Sequence, residues 1–170
     1  METEIIQEIK ENAIYRLNES SRMIHIAFSK VDETHIWKRP NGISNSLGNQ
    51  ILHLCGNMTQ YVIASLGKRN DTRNRDSEFL TSDGHSKMEL LELLDITIIN
   101  AIRTINEASA SDFLEKRNVQ GFNFSGIGVV LHAVEHCSYH TGQIAFWIKQ
   151  LIADDLGFYD GIDLTTPNTD

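Results

Sequence analysis

Between Gly42 and Gly67 the chain has no Asp, Glu, Lys or Arg, and between Asn118 and Ile148 it has only Glu135. Both stretches are rich in aliphatic residues and short of breakers, so each predicts a helix. A helix with a face in water normally carries charge on that face. Two helices without charge are therefore expected to be buried on most sides and to lie near one another. The remaining periodic segments differ. In residues 3–29, Ile5, Ile9, Ala13, Leu17, Ile24 and Phe28 recur at helical spacing among Glu8, Glu11, Arg16, Glu19 and Arg22, the pattern of an amphipathic helix. From Ser86 to about Ala110 a third helix is predicted, with Ser86 and Glu89 spaced as a capping box and Glu92, Asp95 and Arg103 on its outer side.

The charge-free helices have legible ends. Ser44, Asn45 or Ser46 can cap the second helix, which runs to about Leu66 with Gly67 as a stop, and the fourth follows a connection through Phe122 and Gly126 and runs to about Ala153. Residues 68–86, KRNDTRNRDSEFLTSDGHS, show no apolar period and read as a long loop with room for one turn of structure. The expectation is an all-α four-helix bundle over residues 1–154, followed by an irregular acidic tail over 155–170.

Composition narrows the function classes. At 170 residues, 41% hydrophobic and 22% charged with two prolines, the chain has the make-up of a single globular domain. A net charge of -8 disfavours nucleic-acid or anionic-membrane partners, which need clustered Lys and Arg. The N-terminal segment lacks the apolar run of a signal peptide, and nothing approaches the roughly 20 apolar residues of a membrane span. A cytoplasmic protein is expected. Cys55 and Cys137 lie inside predicted helices without a CxxC pair, and buried free thiols are the simplest reading.

Each charge-free helix carries a polar stripe. At 100° per residue, Ser46, Asn49, Gln50, Asn57 and Gln60 fall within about 60° of His53. On the fourth helix Ser125, His132, His136, Tyr139, His140, Gln143 and Trp147 share a face. A polar stripe is usually a solvated surface, but the missing charge counts against that here. Unpaired polar groups in a dry core would each cost about 1–3 kcal/mol, so two facing stripes are expected to line a shared wet pocket or hold a ligand.

Helical geometry then limits which histidines can share an ion. Residues four apart rise about 6 Å and turn about 40°, so His136 and His140, or equally His132 and His136, can chelate one metal. His132 and His140, about 12 Å apart along the axis, cannot both bind it. His53 supplies the third ligand if the two helices are adjacent. Spacing alone leaves the choice of pair open.

The segment LHAVEHCSYHTGQI, residues 131–144, resembles the last-helix motif of the DinB-like (YfiT-like) four-helix superfamily, in which His-x-x-x-His is followed closely by Gly-Gln. The resemblance selects His136 and His140. NSLGNQILHLCGNMTQYV, residues 45–62, resembles that superfamily's second helix, whose histidine corresponds to His53. RNRDSEF, residues 73–79, is similar to a segment recurring in one uncharacterised branch. The resemblance implies a four-helix bundle, often a homodimer, with one zinc or nickel ion per chain on His53, His136 and His140. It also implies either hydrolysis or transfer of a low-molecular-weight thiol onto an electrophile.

Three neutral nitrogens and an open position are the pattern of a catalytic rather than a closed structural site. Thiol transfer is the favoured expectation, with a metal-dependent hydrolase and a non-catalytic small-molecule-binding bundle as alternatives. Asn49, Asn57, His132 and Gln143 are candidates for orienting ligands or substrate. Glu135, directed about 100° away from His136, is expected to be a surface charge or a partner behind the metal ligands rather than a base. Glu78 and Arg75 are expected in a solvated loop, with reach to the pocket mouth as the alternative, Tyr139 and Trp147 in the core, and His25, His35 and His85 at ordinary polar positions.

Overall fold

The computed structural model describes residues 2–169. Its long helices are α1 (Glu2–Ser29), α2 (Leu47–Met58), α4 (Lys87–Glu107) and α6 (Gly126–Ile152); between them lie the short helices α3 (Arg75–Leu80) and α5 (Ala110–Leu114). A π-helical stretch, Thr59–Leu66, continues α2. Helix α1 packs on α4 and α6, and α2 packs on the same two, so α1 and α2 occupy opposite corners of a four-helix bundle.

The caps follow from local chemistry. Ser46 caps α2 and Ser86 caps α4, each in a reciprocal box with the residue three positions on, Asn49 and Glu89. Ser125 accepts from the Gly128 N–H at the start of α6. The core between the helices is built from Leu17, Ile24 and Phe28 of α1, Ile51, Leu54 and Met58 of α2, Leu90, Leu94 and Ile98 of α4, and Val129, Val130, Ile144 and Ile148 of α6. Ile5, expected on the inner stripe of α1, is exposed, and its neighbour Ile6 is buried instead.

Three features depart from the sequence expectation. The connection before α6 is a hairpin of β1 (Lys116–Val119) and β2 (Phe122–Ser125), closed by Gln120 and Gly121. Both turn residues have positive φ, 51° and 84°, the conformation that a two-residue hairpin turn demands. The 68–86 segment contains α3, capped by the Asn74 side chain and packed on α2. Helix α6 is buried less completely than its lack of charge suggests, since Leu131, Tyr139 and Phe146 stand 59%, 63% and 66% exposed. Tyr139 is therefore not a core aromatic. Beyond α6 the chain is irregular, yet Leu156 is buried and the Phe158 carbonyl accepts from Arg22 Nη1 at 3.0 Å.

Gly126 marks how closely the hairpin end of α6 approaches α5. A Cβ there would overlap the Asp112 carbonyl oxygen and lie 2.7 Å from Phe113 Cα, both backbone atoms that cannot swing aside. Gly126→Ala is expected to destabilise the protein by about 1–3 kcal/mol, read as a lower denaturation midpoint at unchanged helix content.

Candidate metal centre

Helices α2 and α6 bring His53, His136 and His140 together. Their ring centroids are 4.8 Å (His53–His136), 4.9 Å (His53–His140) and 4.4 Å (His136–His140) apart. One ligand nitrogen from each lies within 4.8 Å of the others, a span from which side-chain rotation can bring three nitrogens to the roughly 2.0–2.1 Å of a metal–imidazole bond. His53 Nε2 and His136 Nε2 are 3.0 Å apart.

The opposite edges of two rings are committed elsewhere. His53 Nδ1 meets Glu78 Oε2 at 2.8 Å, and His140 Nδ1 meets Gln50 Oε1 in a very short hydrogen bond. A carboxylate and a carbonyl oxygen can only accept, so both rings carry their proton on Nδ1 and turn the Nε2 lone pair toward the cluster. The donor set is three neutral imidazole nitrogens, a group that could hold a metal ion.

Burial lowers the pKa of all three imidazoles. His136 is pushed down to about 3, first by burial and then by the neighbouring imidazoles; His140 is pushed down to about 4 by burial and by His53. Burial also lowers His53, against the opposing pull of Glu78. The cluster is neutral at neutral pH and ready to receive a cation.

The candidates for supporting roles take different places. Asn49 is fully buried and faces away from the cluster, donating through Nδ2 to the carbonyls of Glu78 (2.9 Å) and Thr81 (2.7 Å), which fastens α3 to α2. Gln143 Oε1 accepts from Gln50 at 2.9 Å, one bond removed from His140. His132 is stacked on Tyr61 with a centroid separation of 4.0 Å, and its Nε2 lies 3.3 Å from Asn57 Nδ2. His132 thus lies beside the triad and not in it, its ring 5.6 Å from His136. Cys55 and Cys137 are buried free thiols pushed up to about 12 and about 11 by burial, and neither joins the cluster.

Glu78 and Arg73 are the residues that sequence reasoning misplaced or passed over. Glu78, expected in a solvated loop, is buried because α3 folds onto α2. Arg73 grips it with Nε on Oε1 at 2.7 Å and Nη2 on Oε2 at 2.8 Å. Their side chains are only 2% and 7% exposed. Arg75, by contrast, lies 4.8 Å over the outer face of the Phe79 ring, which itself packs against His53. The available signal was the run RNRDSEF, with its charges close enough to pair locally. Glu135 is exposed, and His25 bonds Asp95 at the surface.

The fold and the cluster together define a four-helix bundle with a three-histidine group that could hold a metal ion. A solved DinB-like protein from Bacillus subtilis has the same fold, with a TM-score of 0.62 and 14% identity over 85% of this chain and 91% of that one. The chain belongs to the family described as "Protein of unknown function (DUF1572)", whose model matches residues 4–159. No curated protein matches. Among the described residues, no helix is long and apolar enough to cross a membrane.

Two outcomes test the centre. His53→Ala and His140→Ala are expected to lose stoichiometric metal, while His132→Ala keeps it, as read by elemental analysis of the purified proteins. The lowered histidine pKa values also set a pH dependence for the metal-free protein. Between the unfolded value near 6.5 and the folded values of about 4 and 3, the unfolded chain binds more protons than the folded one. Stability is therefore expected to fall as pH drops through that window, and His136→Gln should flatten the dependence in denaturant titrations.

Proposed function

We propose that the protein is a metal-dependent transferase that moves a small thiol onto an uncharged electrophile. The observation that carries this reading is the lack of a free carboxylate at the centre among the described residues. Both oxygens of Glu78 are held by Arg73 and one also by His53, and Glu135 stands on the exposed side of α6. Activating water, with a pKa near 15.7, profits from a general base; a thiol, near 8.5, ionises with far less help. A divalent ion on three neutral nitrogens supplies a Lewis acid that keeps a thiol ionised at neutral pH.

The chain's own residues orient and sort. Gln50 and Glu78 hold the two outer imidazoles with Nε2 turned inward. Beside Gln50 and Gln143 a cleft of about 540 Å³ opens, walled about equally by apolar side chains (Ile43, Ile144, Phe146, Trp147) and polar ones (Asn41, Ser44, Asn45, Gln150) and lined by no charged residue. Such a wall suits the apolar body of a neutral electrophile and offers no counter-ion to a charged one. In the transfer, the thiol proton passes to solvent, sulfur forms the new bond to carbon, and the leaving group departs with its electron pair. A second reading, metal-dependent hydrolysis, is favoured by His132, an imidazole one turn before His136 that burial keeps below its ordinary pKa and so neutral.

The test is to load the protein with zinc or nickel and supply a small thiol with a neutral aromatic electrophile, then an ester and amide panel. Metal-dependent S-conjugate formation that drops to the uncatalysed rate in His140→Ala supports the transferase. Ester or amide turnover without conjugate would replace it with the hydrolase, and turnover in neither would favour a small-molecule-binding bundle.

A further inference from the structure

The Glu78–Arg73 pair stands out because nothing in the packing of four helices calls for it. Burying an ion pair costs several kcal/mol per charge before the attraction is recovered, and apolar residues of similar volume often do as well. Here the pair is nonetheless fixed from every side. Arg73 Nη1 donates to Gln60 Oε1 at 2.9 Å, Gln60 Nε2 donates to Asp71 Oδ2 at 2.6 Å, and Asp71 Oδ1 accepts from the Arg73 N–H at 3.0 Å. Asn49 holds the backbone of Glu78 and Thr81. On α2, Gly56 leaves room for the carboxylate: a Cβ there would overlap Glu78 Oε1 and come within 3.0 Å of Arg73 Nε.

We propose that Glu78, locked by Arg73 over Gly56, is a positioning residue for the metal centre: it holds His53 as the Nδ1–H tautomer, coupling metal loading to the docking of residues 69–81 on α2. The inference rests on the metal-centre reading above and adds to it a residue and a moving part. Arg73 Nη2 is 3.2 Å from His53 Nδ1. An arginine can only donate, so Nη2 and Nδ1–H share the Oε2 acceptor rather than bonding each other.

A carboxylate on the far nitrogen of a ligating histidine fixes the ring and strengthens its donor nitrogen, and removing such a partner typically weakens metal binding 10- to 100-fold. Glu78 comes from a segment outside the bundle. If docking of that segment prepares His53 for metal, then metal on His53 must stabilise the docking by the same factor.

The experiment uses the full chain with Glu78→Gln and Gly56→Ala, and Asp95→Asn as a surface control. Zinc affinity is measured by chelator competition, amide hydrogen exchange of residues 69–81 with and without zinc, and the ¹⁵N shifts of the His53 ring without metal. Glu78→Gln and Gly56→Ala are expected to weaken zinc binding about 10- to 100-fold and to lose the zinc-induced exchange protection of 69–81, with Asp95→Asn unchanged. Without metal, His53 is expected as the Nδ1–H tautomer in the wild type and as a mixture in Glu78→Gln. Should Glu78→Gln fail to fold, Gly56→Ala decides, because alanine keeps α2 helical and its nearest contacts are side-chain atoms of Glu78 and Arg73, not backbone.

Zinc binding as tight as wild type in both variants, or exchange of 69–81 indifferent to zinc, overturns the proposal. A wild type that binds no zinc overturns the metal-centre reading, and with it the coupling. The metal-free tautomer then separately decides whether Glu78 holds His53.

Discussion

Polar side chains at the seam of α2 and α6 find partners across the helix interface, and the architecture of the site follows from that pairing. His53 meets His136, Gln50 meets both His140 and Gln143, and Asn57 meets His132. Each contact joins one charge-free helix to the other. Left unpaired, such groups would cost about 1–3 kcal/mol apiece, enough in sum to prevent these helices from packing together. The seam thus selects its own register. It also aims the proton-bearing edges of two imidazoles outward, leaving nitrogen lone pairs inward.

The same desolvation sets the electrostatics. A site that holds three imidazoles neutral and neutralises its one buried carboxylate with an arginine presents no net charge of its own. A divalent ion placed there would keep its full charge, which favours polarising a thiol or water over simply filling a structural position. The cost of that environment falls on the segment that supplies Arg73 and Glu78, a loop and short helix outside the bundle that meet Asn49 and Gly56 of α2.

Beside the triad the helical geometry itself changes. The π-helical stretch Thr59–Leu66 follows the histidine-bearing turns of α2, and it places Tyr61 against His132 with its hydroxyl 3.0 Å from Gln120 Oε1 in the hairpin turn. Single π segments are frequent near functional sites, because the widened turn re-aims side chains that a regular helix could not bring there. The His132 ring is stacked on Tyr61 and lies 6.2 Å from that of Phe124 in the hairpin.

Much of this was legible in the chain alone. The absence of charge in two stretches predicted that their helices pair, the four-residue spacing predicted that neighbouring histidines of α6 can converge, and Ser86 with Glu89 predicted the start of α4. These are local properties, set by 3.6 residues per turn and by the demand of free N–H groups for an acceptor. Spacing left His132 and His140 equal, the resemblance of residues 131–144 chose His140, and the tertiary structure groups His140 with His53 and His136 because of where α2 sits beside α6. Likewise Glu78 reads as a solvated loop charge until α3 is seen lying on Gly56. Whether a charge is buried depends on a surface distant in sequence, and no local pattern carries that information.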